Sequence, residues 1–166
     1  MMRRVLCLSL LLALTACGLR PLYGGSSGVA IAGLLHSVEV TPIEGHSGWL
    51  VRNKLRDRLA DGDGSSTYRL AVTLDDDITA FGIRGDRAAT FERRTLRARY
   101  QLIEVANGAV LLDATASADA GIDIVSSEYA TVAAEQTALE RLSDQLADQI
   151  VTRLALYASR TAAPQP

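Results

Sequence analysis

Leu96-Arg97-Ala98-Arg99-Tyr100-Gln101-Leu102, followed by Asn107-Gly108 and then Val110, is the stretch whose reading decides the fold. In an extended chain successive side chains point to opposite faces. Leu96, Ala98, Tyr100 and Leu102 therefore line one side of a strand, and Arg97, Arg99 and Gln101 line the other. Asn-Gly is the dipeptide that best tolerates a tight hairpin turn, so the chain is expected to double back there. Val110 to Ala118 then returns as the last strand. Working upstream, Tyr68, Leu70, Val72 and Leu74 repeat the alternation, with Arg69, Ala71 and Thr73 opposite. These three strands share one apolar and one polar side.

The flanking segments supply the cover for the apolar side. Residues 35–43 alternate around Val38 and Val40 and stop at Pro42, as a first strand would. Ser47 can cap a helix in which Leu50, Val51, Leu55 and Leu59 recur at helical spacing until Asp61-Gly62 ends it. A second helix, roughly 128–157, carries the stripe Val132, Leu139, Leu142, Leu146, Ile150 and Leu154, with Ser126 or Ser127 as its cap. The pattern predicts an α+β domain over residues 35–158 in the order strand-helix-strand-strand-strand-helix. Two helices would pack on one face of a mainly antiparallel four-stranded sheet. Residues 159–166, ending Thr161-Ala-Ala-Pro-Gln-Pro, read as a disordered tail.

The beginning of the chain has a different character. Arg3 and Arg4 precede an apolar stretch from Val5 to Leu14 broken only by Ser9, and Leu14-Thr15-Ala16-Cys17 closes it. That stretch is too short to span a bilayer as a helix, and small residues follow at once, which is the layout of a secretory signal. The pattern Leu-x-Ala-Cys resembles the lipobox of bacterial lipoproteins. Residues 1–16 are accordingly expected to be removed and Cys17 to carry lipid. Residues 17–34, with Gly18, Gly24, Gly25, Ser26, Ser27, Gly28 and Gly33, read as a flexible tether. Residue 18 is Gly and not Asp, and resemblance to known lipoprotein sorting then implies delivery to the outer membrane, lipid-anchored on the periplasmic side. Three acyl chains exceed what stable anchoring needs, at roughly 0.8 kcal/mol per buried methylene.

Composition narrows the chemistry. The signal takes two of the 17 basic residues and none of the 19 acidic ones, so the net charge moves from −2 to about −4. An acidic domain of this kind is not built for nucleic acid. Cys7 leaves with the signal and Cys17 is consumed by lipid, so disulfides, thiolate metal sites and cysteine nucleophiles are not expected. His36 and His46, about 33 Å apart if extended, are too distant to share a metal or a proton. No Gly-x-Ser-x-Gly elbow or phosphate-binding glycine loop is present. Asp75-Asp76-Asp77 cannot converge on one ion within a strand and reads as a solvated strand end. No catalytic residue, metal or cofactor is therefore assigned.

The arginines are the one concentration of functional interest. Arg84, Arg87, Arg93, Arg94, Arg97 and Arg99 fall within sixteen residues, with only Asp86 and Glu92 as acidic company. Guanidinium groups suit bidentate contact with phosphate, and one hairpin carrying them makes a local positive field. The alternative is that Arg97 and Arg99 line a solvated sheet face and pair with Asp75–Asp77. With helices on one face only, Arg69, Thr73, Arg97, Arg99 and Gln101 would form an exposed basic face for a partner protein or an anionic lipid.

Cys17-Gly-Leu-Arg-Pro-Leu-Tyr-Gly24 and Val51-Arg-Asn-Lys-Leu55-Arg-Asp-Arg-Leu59 resemble the alphaproteobacterial branch of the LPS-assembly lipoprotein family LptE. The order of elements and the long last helix also match. The resemblance implies a non-enzymatic lipoprotein that plugs the LptD β-barrel, helps it assemble and binds lipopolysaccharide. It implies that the loop after the second strand carries a lipopolysaccharide contact, which places Arg84 first, with Arg87, Arg93 and Arg94 beside it. The chain departs from relatives in having no Lys or Arg between Ser126 and Ala138. Two other roles fit a tethered α+β domain: an accessory subunit of a phospholipid-trafficking ABC system, and an envelope hydrolase using Asp75–Asp77. The first lacks the Cys-Gly-x-Arg-Pro-Leu-Tyr-Gly entry.

Overall fold

A computed structural model describes residues 25–59, 66–83 and 89–162. The elements are α1 (Gly25–His36), β1 (Val38–Val40), α2 (Gly45–Leu59), β2 (Tyr68–Ile83), β3 (Ala89–Glu104), β4 (Val110–Asp123) and α3 (Glu128–Ala162). The sheet runs β1-β2-β3-β4, with β1 parallel to β2 and the remaining pairs antiparallel. The α+β architecture and the expected order from β1 to α3 are both present.

Several features differ from the sequence-based expectation, among them β4, which runs on past Ala118 to Asp123. Residues 25–34, assigned to the tether, and residues 35–36, assigned to the first strand, form one helix whose Ile31 and Leu35 are buried, because an apolar residue every four positions finds a core to enter. The first strand holds only Val38–Val40, since Thr41 turns its N–H to the Leu70 carbonyl (3.1 Å) and Pro42 cannot continue the ladder. β2 and β3 reach 16 residues each, so Asp75–Asp77 lie inside a strand, not at its end. Finally, α3 continues through Ala162 and takes in residues 159–162 of the expected tail. Residues 1–24, 60–65, 84–88 and 163–166 lie outside the described residues, so the signal, Cys17 and the rest of the tether do as well.

Cross-strand register explains the core. Leu70 faces Leu102, Val72 faces Tyr100 and Leu74 faces Ala98. Leu96 and Ala98 in turn face Ala118 and Ala116. These side chains lie on the helix side of the sheet, where Leu70, Leu96, Ala98, Leu102 and Tyr100 are buried. Alanines at 116, 118 and 120 keep β4 low, which lets α3 settle on the sheet with Leu139, Leu142, Leu146, Ile150 and Leu154 buried. α2 adds Val51, Leu55 and Leu59 to the same core. Ser143, a buried polar residue of α3, donates to the Leu139 carbonyl one turn back (2.8 Å) and so carries no unsatisfied hydroxyl.

Two glycines answer to geometry. A Cβ on Gly48 would lie 2.8 Å from the Ile43 carbonyl oxygen, so α2 can fold back over the chain that enters it only with glycine there. Gly108 has φ of 73°, and its N–H donates to the Glu104 carbonyl (2.9 Å) in the β3–β4 turn. That turn runs from Glu104 to Val110, longer than a two-residue hairpin, and the Asn107 side-chain oxygen accepts from the Ala109 N–H (2.8 Å). No helix among the described residues is long and apolar enough to cross a membrane.

Leu55 is fully buried where α2 meets the sheet. We expect Leu55→Ala to cost about 2–5 kcal/mol, measured as a shift in the denaturant midpoint with unchanged slope.

Candidate functional site

The paired segment Val51–Leu59 resolves into packing. Its apolar members Val51, Leu55 and Leu59 enter the core at i, i+4 and i+8. Arg52 reaches from α2 to the Val40 carbonyl on β1 (3.3 Å). Arg58 bonds Asp148 (2.6 Å) and Asp144 (3.2 Å), and Lys54 lies 3.2 Å from Asp144. Hydrogen bonding to Asp148, the largest influence, raises the Arg58 pKa. Burial raises the Asp144 pKa, but hydrogen bonds from Lys54 and Arg58 more than offset it, leaving the carboxyl below its usual range. The basic residues of α2 thus clamp α3, and partial exposure keeps each pair to a modest contribution.

The arginines of the β2–β3 hairpin divide by strand parity. Arg94 points to the helix side, opposite Ile78 of β2. Its guanidinium meets Asp76 through both Nε (2.9 Å) and Nη2 (2.7 Å), and Nη1 donates to the Glu135 carbonyl of α3 (3.2 Å). Only 12 % of its side chain is exposed. Arg94 therefore ties β2, β3 and α3 together. Glu92, two residues earlier on the same side, keeps one buried carboxylate oxygen without a hydrogen-bond partner.

The opposite, open side carries Arg69, Thr73, Arg93, Arg97, Arg99 and Gln101, so the residues expected to share that face do share it. The face is not simply basic. Asp75, Asp77, Asp113, Asp119 and Asp123 stand on it as well, in register with Arg97, Thr95, Gln101, Thr95 and Phe91. Arg99 binds Asp113 through Nε (3.1 Å) and Nη2 (2.8 Å), and Gln101 donates to the same carboxylate (2.8 Å). These hydrogen bonds, Arg99 first and Gln101 second, lower the Asp113 pKa to about 2. Asp75 faces Arg97 in register, yet the ion pairs formed are Asp76 with Arg94 and Asp113 with Arg99. Among the described residues, Arg69, Arg93 and Arg97 form no ion pair within 4.0 Å.

At the far end of the hairpin the open face turns aromatic. Phe81 and Phe91 are in register, and the Arg93 guanidinium lies over the Phe81 ring at 5.4 Å from its centroid. Phe91 rests on the backbone of Gly121, where a Cβ would meet its ring at 2.5 Å. Gly82, with φ of 72°, follows Phe81. Arg84 and Arg87 lie outside the described residues, in the segment that joins Ile83 to Ala89. The aromatic pair at this end was missed in the sequence because Phe81 and Phe91 are ten residues apart; only strand register brings them together. His46 stacks on the half-exposed Trp49 at the start of α2 (6.4 Å between ring centroids, 12° between planes), and His36 ends α1.

Comparisons with known proteins bear on this geometry. The model of the LptE family, described as lipopolysaccharide-assembly, matches residues 35–154. No curated protein matches the chain. Among solved structures, a candidate lipoprotein of Caulobacter crescentus superposes with a TM-score of 0.67 at 27% identity, covering 81% of this chain and 98% of that one. A minor lipoprotein of Acinetobacter baumannii gives a TM-score of 0.60 at 16% identity, covering 79% of this chain and 98% of that one. The rare lipoprotein B of Shewanella oneidensis gives 0.57 at 10% identity, covering 76% and 98%, respectively. The last two show a shared fold.

Two outcomes follow from the sorted arginines. Arg94→Gln should lower stability by about 1.5–3 kcal/mol, the scale of a charge-assisted hydrogen bond, and speed amide exchange in the first half of α3. For Asp113, the folded carboxyl titrates below its unfolded value of about 4, so the stabilisation by this pair is complete above that pH and is lost as pH falls through about 2. In Arg99→Ala, the Asp113 carboxyl should titrate closer to its ordinary range, as followed by NMR.

Proposed function

The chain belongs to the LptE lipopolysaccharide-assembly family, and from that membership we propose that it is an outer-membrane lipoprotein, acylated at Cys17, that seats in the LptD β-barrel and binds lipopolysaccharide on its way to the outer leaflet. The family match over residues 35–154 is the observation that carries this reading, and Arg93, which forms no ion pair among the described residues and lies over the Phe81 ring, supports it. Its role is to hold and guide; no residue is assigned to bond making or breaking.

The lipopolysaccharide contact is assigned to the far end of β2 and β3. Arg84 and Arg87 belong to the connecting segment, and Arg93 stands beside it on the open face with its guanidinium over an aromatic ring. Phosphates of lipid A are the chemical targets that suit these groups, since a guanidinium can bind them or displace the divalent ions that bridge them. Arg94 neighbours them in sequence. Its engagement with Asp76 and Glu135 supports a positioning role, one that sets the hairpin against α3 and so aims the other arginines. Arg69, Arg97 and Arg99 are assigned to the face that meets the barrel wall, where alternating Arg and Asp suit a polar lining better than a lipid surface.

The full-length lipoprotein should co-purify with LptD from gentle detergent extracts, and its depletion should produce an outer-membrane assembly defect. Recovery only as a free monomer would overturn the assignment. Arg84→Glu should weaken lipopolysaccharide binding about tenfold or more, the effect of losing one sheltered charged hydrogen bond, with an unchanged circular-dichroism spectrum.

A further inference from the structure

The two edges of the sheet are treated differently. On β4, the Gln149 side chain of α3 reaches over the strand and donates to the Ser117 carbonyl (3.1 Å), covering part of that edge. On the outer edge of β2, among the described residues, only Tyr68–Leu70 have a strand neighbour, because β1 is three residues long. Thr41 closes the Leu70 carbonyl, and the turn Pro42–Glu44 flanks Val72–Leu74. Beyond it, among the described residues, nothing pairs with the outer edge of β2. Backbone groups in a strand alternate in direction. Leu70 offers its carbonyl outward, so Leu74, Asp76, Ile78 and Ala80 turn both N–H and C=O away from β3. The stretch is about 24 Å long.

The side chains along this edge describe what would fit. On the helix side Ile78 is 42% exposed, and α2 stops short of it, having covered only the lower half of the sheet. The first turns of α3, which the Arg94–Glu135 bond holds at this level, expose Val132 (56%) and Tyr129 (85%). On the open side Asp75 and Asp77 are exposed and form no ion pair among the described residues. A strand laid here would need apolar side chains toward α3 and Lys or Arg toward Asp75 and Asp77. A second copy of β2 offers the wrong charge, since antiparallel self-pairing around this stretch sets one aspartate cluster against another.

We propose that the free edge of β2 from Leu74 to Ala80 takes up an extended segment of the barrel partner as an added strand, with alternating apolar and basic residues. This rests on the barrel assignment above and specifies how the domain is seated. β1 and the added segment lie end to end along the same edge, so the domain's four-stranded sheet becomes continuous with its partner. Main-chain hydrogen bonds hold the segment, and the alternation of charge and apolar surface sets its register.

The test is hydrogen exchange on the full-length acylated protein, free and co-purified with LptD. In the complex, the amides of Leu74, Asp76, Ile78 and Ala80 should exchange at least about tenfold more slowly, while Asp75, Asp77 and Thr79, already bonded to β3, change little. Ile78→Pro removes an outward donor without touching the β2–β3 ladder and should cut LptD recovery about tenfold, and Asp75→Lys with Asp77→Lys should do likewise. Equal exchange in free and bound protein overturns the added strand even if Ile78→Pro fails to fold. Slow exchange at these amides in the free protein that depends on concentration also overturns it, in favour of self-association. Failure of the unaltered protein to recover LptD at all refutes the barrel assignment instead.

Discussion

The structure depends on laying one 35-residue helix along a sheet face whose apolar rows come from three strands. α3 can do this because β4 contributes alanines where β3 contributes Leu96, Tyr100 and Leu102, so the floor slopes to receive a long cylinder. Leu139, Leu142, Leu146, Ile150 and Leu154 are buried along one stripe, each worth roughly 1.5–3 kcal/mol, and add to the strand ladders in holding the sheet together. With no cysteine in the described domain, this packing carries the load that disulfides carry in many exported proteins.

A length mismatch follows. α3 and the strands β2 and β3 extend well beyond α1, α2 and β1, which cover one end only. At the covered end the fold is ordinary two-layer α+β, clamped by Arg58 and Lys54 against Asp144 and Asp148. At the other end the sheet projects, and a different device is required to hold the helix to it. Arg94 provides that device by bridging Asp76 on β2 and the Glu135 carbonyl on α3. The projecting end keeps the unpaired Arg93, the aromatic pair and the bare edge of β2, so the parts available to partners are concentrated away from the compact end.

The arginine cluster is therefore two populations with separate work. Arg94 and Arg99 are saturated by carboxylates in bidentate geometry, and they set shape and charge balance. Arg93 and Arg97 remain uncommitted among the described residues, with Arg93 resting on a ring that orients it without neutralising it. An acidic protein thus keeps a few guanidinium groups on its open face free of carboxylate partners among the described residues.

Period-two alternation at 68–74 and 96–102 and the helical stripe from Leu139 to Leu154 were enough to determine the α+β class, the strand and helix order and the face on which Arg69, Arg97 and Arg99 stand. Those features are local: they depend on the twofold and 3.6-fold repeat of the backbone and need no knowledge of what lies across from them. The α1 helix, the extension of β2 through three aspartates and the fate of each arginine were settled only in three dimensions. Gly25–His36 is glycine-rich and becomes a helix because a core is there to receive Ile31 and Leu35. Asp75–Asp77 discourage a strand by propensity, yet fifteen paired positions with β3 and the Arg94 clamp override them. Whether a guanidinium is spent on a neighbour or left for a ligand depends on register between strands, and register is a property of the assembled sheet.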